Sequence, residues 1–239
     1  MILPPYVFLI VLCTLVFMAI TLTIMVANAV QAAPLAAQEK RRFLTRFALY
    51  LTGWFALGLA VSYTNALVPQ ADVRIPYLPI AILGPTLLGS ALLYQSKTAT
   101  AILRSIPIHS LAAVQVSRII GLIFLLLYSD GILSAYFALS TAWGDITIGI
   151  TAPVVGYLLY KNPQKFRWVG LVWCVTGILD LLLVLFKALN SAPGPQQTTA
   201  FELPTVIIGY FPFSIIPLFV VPFSLILHGL LIRRLMDKG

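Results

Sequence analysis

Charge is what this chain has least of. Only 9% of its 239 residues are Asp, Glu, Lys or Arg, against about 25% in an ordinary soluble domain. Seven acidic and fifteen basic side chains cannot cover the surface of a soluble fold of this size. With 60% hydrophobic residues and a mean hydropathy of +1.00, the composition excludes a soluble enzyme, a nucleic-acid-binding domain and a disordered tail. Cysteine is nearly missing too. Cys13 and Cys174 both sit inside apolar runs, so no disulfide framework is expected. His109 and His228 are too few for a multi-histidine metal or haem centre, and neither metal nor cofactor is expected. No HExxH or GxSxG pattern is present, and no serine–histidine pair shares a depth, which ranks intramembrane enzymes last.

Long apolar runs are what remains. No side chain before Glu39 is charged. The run at 6–28 is long enough to cross about 30 Å of hydrocarbon, and it lacks the basic leader of a signal peptide. Further runs lie at 47–68, 77–94, 106–128, 132–160, 168–189 and 205–232. The expected fold is therefore all-α: a single transmembrane bundle of seven spans over the whole chain. Gly84-Pro85 predicts a kink in the third span. Residues 132–160 form either one long tilted helix or one broken near Gly144. Pro212, Pro217 and Pro222 recur through the expected seventh span and should bend it.

Seven spans put alternate connections on alternate sides. Twelve of the fifteen basic residues then share one side: Lys40, Arg41, Arg42, Arg46, Lys97, Arg104, Lys161, Lys165, Arg167, Arg233, Arg234 and Lys238. Arg74 and Lys187 fall on the other side, and Arg118 within a span. Basic loops stay in the cytoplasm. The N-terminus is thus expected outside and the C-terminus in the cytoplasm, in a plasma (inner) membrane.

Three charges lie where hydrocarbon penalises them by about 2.5–3.5 kcal/mol each. At 1.5 Å per residue, Arg118 is about 18 Å into the fourth span and Asp180 about 18 Å into the sixth. Asp145, about 24 Å above Lys161, is roughly one turn higher. Opposite charges at one depth in a dry bundle should meet, so Arg118 is expected to pair with Asp180, Asp145 or both, with Gln115 supporting it. Trp173, Thr176, Asp180 and Lys187 share a face of the sixth span and extend this into a polar seam. A weaker pairing is expected between Asp130 and Lys187 near the outer boundary. His109 and His228 are read near cytoplasmic helix ends, where they could face each other. Ala152 and Gly156 are spaced for close helix contact.

His109-x5-Gln115-x2-Arg118, then Phe137-Ala138-Leu139, Trp143-Gly144-Asp145-Ile146 and Ala152-Pro153, resembles a group of uncharacterised bacterial multi-span membrane proteins. The resemblance covers about the middle third of the chain and implies no particular activity. Rhodopsins share the seven-span topology, but residues 205–232 contain no lysine for a retinal Schiff base.

Two functions remain. One is a transporter that moves a small solute, or couples to protons, through the Arg118/Asp145/Asp180 seam. The lack of a visible internal repeat and the single short bundle count against this reading unless the protein forms a homo-oligomer. The other is a receptor, sensor or assembly partner whose buried pair only sets helix register. The expected partners are the lipid bilayer and a small solute, proton or lipid, and not nucleic acid.

Overall fold

A computed structural model describes residues 3–70 and 77–237. Asp72 and Arg74 of the second connection, and Lys238, lie outside the described residues. Within them the architecture is helical and contains no strand. The helices are α1 (Pro5–Ala32), α2 (Ala37–Tyr63), α3 (Tyr77–Gln95), α4 (Lys97–Ser105), α5 (Ile108–Ala113), α6 (Leu122–Ser129), α7 (Ala135–Lys161), α8 (Arg167–Ser191) and α9 (Val221–Met236). A 3₁₀ stretch, Val114–Gly121, joins α5 to α6, and a π-helical turn, Ile216–Val220, leads into α9. Seven of the resulting rods are long and apolar enough to cross a membrane: α1, α2, α3, Ile108–Ser129, α7, α8 and Ile216–Met236.

Burial divides these rods unequally. In the seventh, fourth and fifth, 67%, 56% and 50% of the most apolar window is buried, against 11% in α2 and α3. The core is therefore the contact of α7 with the fourth rod, closed by α8 and α9. α1 packs on the 3₁₀ stretch and on α4. The fit depends on small residues: a Cβ at Gly149 would lie 2.7 Å from the Ile119 backbone nitrogen, and one at Gly156 3.2 Å from the His109 carbonyl oxygen. Ala152, between them, is fully buried. Backbones this close exclude larger side chains and gain dispersion contact along the whole seam.

Several expectations change in detail. Residues 132–160 are not broken near Gly144; α7 runs unbroken through Asp145 and Pro153, about 40 Å by its residue count. α3 includes Pro85 within its helical run, so the expected kink there is not a break. The polar stretch after the third span is an amphipathic helix, α4, with the Ser96 side chain accepting from the Ala99 N–H at 3.1 Å. Its apolar side carries buried Ala99 and Ile102, and Lys97 and Arg104 stay outward. α2 stops at Tyr63 and not at 68, because Asn65 turns into the left-handed region at φ 53°. Its side-chain oxygen accepts the Phe211 N–H at 3.1 Å. That contact ties the end of α2 to an irregular lead-in, so the seventh rod starts at Ile216 and not at 205. Pro212 precedes this rod and does not bend it.

Proline's missing N–H explains a contact that is otherwise easy to overlook. Pro222 cannot donate to the Leu218 carbonyl one turn back. The Trp54 indole of α2 donates to that oxygen instead, at 3.1 Å. The ring is buried and stacks near Phe219 and Phe223. Trp54→Phe keeps much of the ring packing but strands a buried acceptor, which costs about 1–3 kcal/mol. The variant should unfold at a measurably lower temperature in detergent. An unchanged midpoint would show that the carbonyl does not need this donor.

Candidate functional site

Arg118 sits in the 3₁₀ stretch, where the chain is tighter than an α-helix and i, i+3 side chains eclipse. It is 1% exposed, the largest fully buried side chain in the protein's described part. Three helices supply its partners. Its Nε donates to Asp145 of α7 at 2.7 Å. One terminal nitrogen donates to the Gly177 carbonyl of α8 at 3.0 Å, and the other bonds and pairs with the Asp180 carboxylate. The depth estimate from helical rise thus brings together the three expected residues, and Arg118 takes both aspartates rather than choosing one.

Gln115 is buried one 3₁₀ turn before Arg118, and it supports the arrangement through α9 rather than through the ions. Its Nε2 donates to the Ser224 carbonyl at 3.0 Å, and Ser224 Oγ donates to its Oε1 at 2.5 Å. A side-chain amide bonded twice in this way locks the 3₁₀ stretch to α9.

The space for the carboxylates is made by glycines that the sequence reading did not single out as site residues. A Cβ at Gly144 would overlap the Asp180 carboxylate. One at Gly121 would come within 2.5 Å of Asp145 Cβ, and one at Gly177 within 2.5 Å of a His228 ring nitrogen. The signal was present in Gly144-Asp145 and in Gly177 three residues before Asp180. A small residue beside a buried acid leaves room for a partner from another helix.

The other expected residues take different places. Asp130 and Lys187 do not pair. Tyr6 of α1 donates its hydroxyl to Asp130 at 2.6 Å. Lys187 donates to Ser140 Oγ at 2.7 Å and to the Tyr136 carbonyl at 3.2 Å, with its ammonium 4.7 Å from the Tyr136 ring centroid. A long flexible lysine reaches these α7 acceptors more easily than a carboxylate beyond the helix end. Thr176 is exposed and bonds back to the Val172 carbonyl, so it leaves the seam. His109 and His228 do not face each other. His109 packs edge-on against Tyr160 at 5.1 Å. His228 is completely buried against Trp173, ring centroids 5.2 Å apart, two turns inside the end of α9. Among the described residues neither of its ring nitrogens has a hydrogen-bond partner.

The α7–α8 interface therefore carries polar contacts at three levels. Trp173 donates to Thr151 Oγ1 at 2.9 Å, the ion cluster follows, and Lys187 meets Ser140 beyond it. The cluster at the middle level holds two carboxylates against one guanidinium. Residues 75–236 match the family described as Domain of unknown function (DUF8737). The chain belongs to that family. The matched stretch contains Arg118, Asp145, Asp180, Gln115, Ser224 and His228, so the whole cluster lies inside the family's domain. Neither the curated proteins nor the solved structures gave a match.

Geometry of this kind makes a sharp prediction for Gly144. Gly144→Ala drives a methyl group into the Asp180 carboxylate and should lower the unfolding midpoint strongly or abolish recovery from membranes. Gly53→Ala, where a Cβ would meet nothing within 4 Å, serves as the neutral control. Arg118→Leu leaves two buried carboxylates without their cation, a loss of about 3–5 kcal/mol. Equal stability of the Gly144→Ala and Gly53→Ala proteins would mean that the cluster is not held as described.

Proposed function

We propose that this protein is a multi-pass protein of the plasma membrane that moves protons or a small solute with them, using Arg118, Asp145 and Asp180 as the charge-carrying site. Its kin are the bacterial multi-span proteins that the central pattern resembles. The observation that carries this reading is charge balance. With both carboxylates ionised, the cluster has one more negative charge than positive. It is neutral only when it holds one proton or one external cation. A low-dielectric interior makes that difference large. Ionisable groups inside spans commonly mark ion and proton pathways, and the Trp173–Thr151 and Lys187–Ser140 contacts extend polarity to either side.

A second reading has its own support. The glycines that admit the carboxylates also leave little space around them, which suits an architectural cluster that fixes helix register in a receptor, sensor or assembly partner.

Purified protein in liposomes under a proton gradient separates these readings. The natural protein should collapse the gradient. Asp180→Asn and Asp145→Asn, which are close in volume, should remain folded and lose flux at least tenfold. Proton movement equal to that of empty liposomes, or undiminished in both variants, would leave only the architectural reading.

The distribution of basic residues supports an outside N-terminus and a cytoplasmic C-terminus. A fluorescent protein fused after the last residue should then fluoresce in intact bacterial cells, and an alkaline phosphatase fused there should be inactive. The opposite pattern would invert the topology.

A further inference from the structure

Away from the ion cluster, five helices enclose an apolar cavity of about 250 Å³. Its walls include Val26 of α1, Phe47 and Trp54 of α2, Leu93 of α3, Ala99 of α4 and Ile226 of α9. Most polar groups in the wall are already used by the protein. Tyr50 donates to the Pro85 carbonyl at 3.3 Å, Trp54 to the Leu218 carbonyl, and Ser96 caps α4. Arg46 is the exception. It is the one charged side chain among the described lining residues, it is exposed, and among the described residues it has no hydrogen-bond or ion-pair partner.

Arg46 stands at one end of the space. Trp54, two turns further along α2, is about 12 Å away by helical rise. Phe43, Phe47 and Tyr50 are only half-buried, so the cavity reaches the surface along this side of α2. Lys40, Arg41 and Arg42 surround the Arg46 end in the same helix. Across α4, Lys97 and Arg104 are among the residues that line a second, open depression of about 430 Å³. An apolar slot with a free cation at its mouth, set among further cations, is complementary to one class of molecule. That class has a hydrocarbon tail and an anionic head.

We infer that this cavity is a specific site for an anionic phospholipid, its acyl chain lying between α1, α2, α3 and α9 and its phosphate on Arg46. The inference rests on the membrane reading above but not on transport. Removal of apolar chain from water is not the source of selectivity, because the bilayer already provides an apolar medium. The phosphate pairs with a guanidinium that has no internal partner, where bidentate geometry favours arginine. Selectivity against a zwitterionic head comes from the surrounding cations Lys40, Arg41 and Arg42, which repel the added positive charge of a choline.

The test is native mass spectrometry of the detergent-purified full chain, titrated with phosphatidylglycerol or with phosphatidylcholine of identical acyl chains. One phosphatidylglycerol should be retained at concentrations where phosphatidylcholine is not. Arg46→Gln, a surface change, should weaken that retention about tenfold. Lys165→Gln, which removes an exposed cation in the connection after α7 and outside the cavity lining, should leave it unchanged. Val26→Phe, which fills the slot, should displace the lipid while keeping Arg46. Equal retention of the two lipids, equal losses in Arg46→Gln and Lys165→Gln, or full retention in a folded Val26→Phe protein would reduce the site to ordinary surrounding lipid. Release of the chain from membranes by alkaline carbonate is a different failure, because it would overturn membrane insertion itself.

Discussion

A single guanidinium held between two carboxylates from different helices is the constraint that the rest of the core obeys. Removing Arg118 from water is costly unless every charge near it is met. The protein meets it from α7 and α8 at once, so those two helices and the fourth rod must come together at one depth. Their mutual approach then dictates glycine at positions 121, 144, 149 and 177, where any Cβ would strike the cluster or the facing helix. Charge pairing and small-residue packing are in this respect one requirement. The first places the carboxylates, and the second makes room for them.

The remaining backbone shows the same logic for dipoles. Proline removes a donor wherever it stands in a helix, and in hydrocarbon the freed carbonyl has no water to turn to. Here an indole from α2 answers the carbonyl opposite Pro222, and the Gln115 amide adds a donor from the fourth rod to the Ser224 carbonyl. The seventh rod can therefore begin irregularly, with a π-helical turn, because neighbouring side chains bond to oxygens along it. His228 is the counter-example within the same helix. It is fully buried, with two ring nitrogens unmet among the described residues.

How much of this was legible follows from which quantities helical geometry fixes. Rise per residue is nearly constant, so depths along rods could be computed, and Arg118, Asp145 and Asp180 could be matched before any contact was known. Rotation and helix ends are less determined. Thr176 shared a helical face with Asp180 on paper but lies outside the packed arc. Asp130 and Lys187 shared a depth but not a neighbourhood. The end of α2 at Tyr63 depends on a left-handed asparagine and a distant amide, and hydropathy does not register either. The glycines were visible, yet in an apolar run a glycine that admits a carboxylate looks the same as one on the exposed side of its helix, such as Gly53. What distinguishes them is the partner helix, and that is a tertiary fact.

The two candidate sites also divide the chain. The ion cluster draws every one of its groups from the stretch that matches the family, 75–236. It sits where half or more of the fourth and fifth rods' apolar windows is buried. The apolar cavity takes much of its wall, and its one free cation, from α1 and α2, which precede that stretch and are far less enclosed. A site built on loosely enclosed helices is suited to a ligand whose tail is itself fluid, because little order is lost on either side when it binds. A site that separates one charge from hydrocarbon needs the opposite, a rigid shell that cannot relax around an error. The difference in packing between α2 and α3, with 11% of their apolar windows buried, and the fourth, fifth and seventh rods, with half or more, thus matches the chemistry proposed for each part.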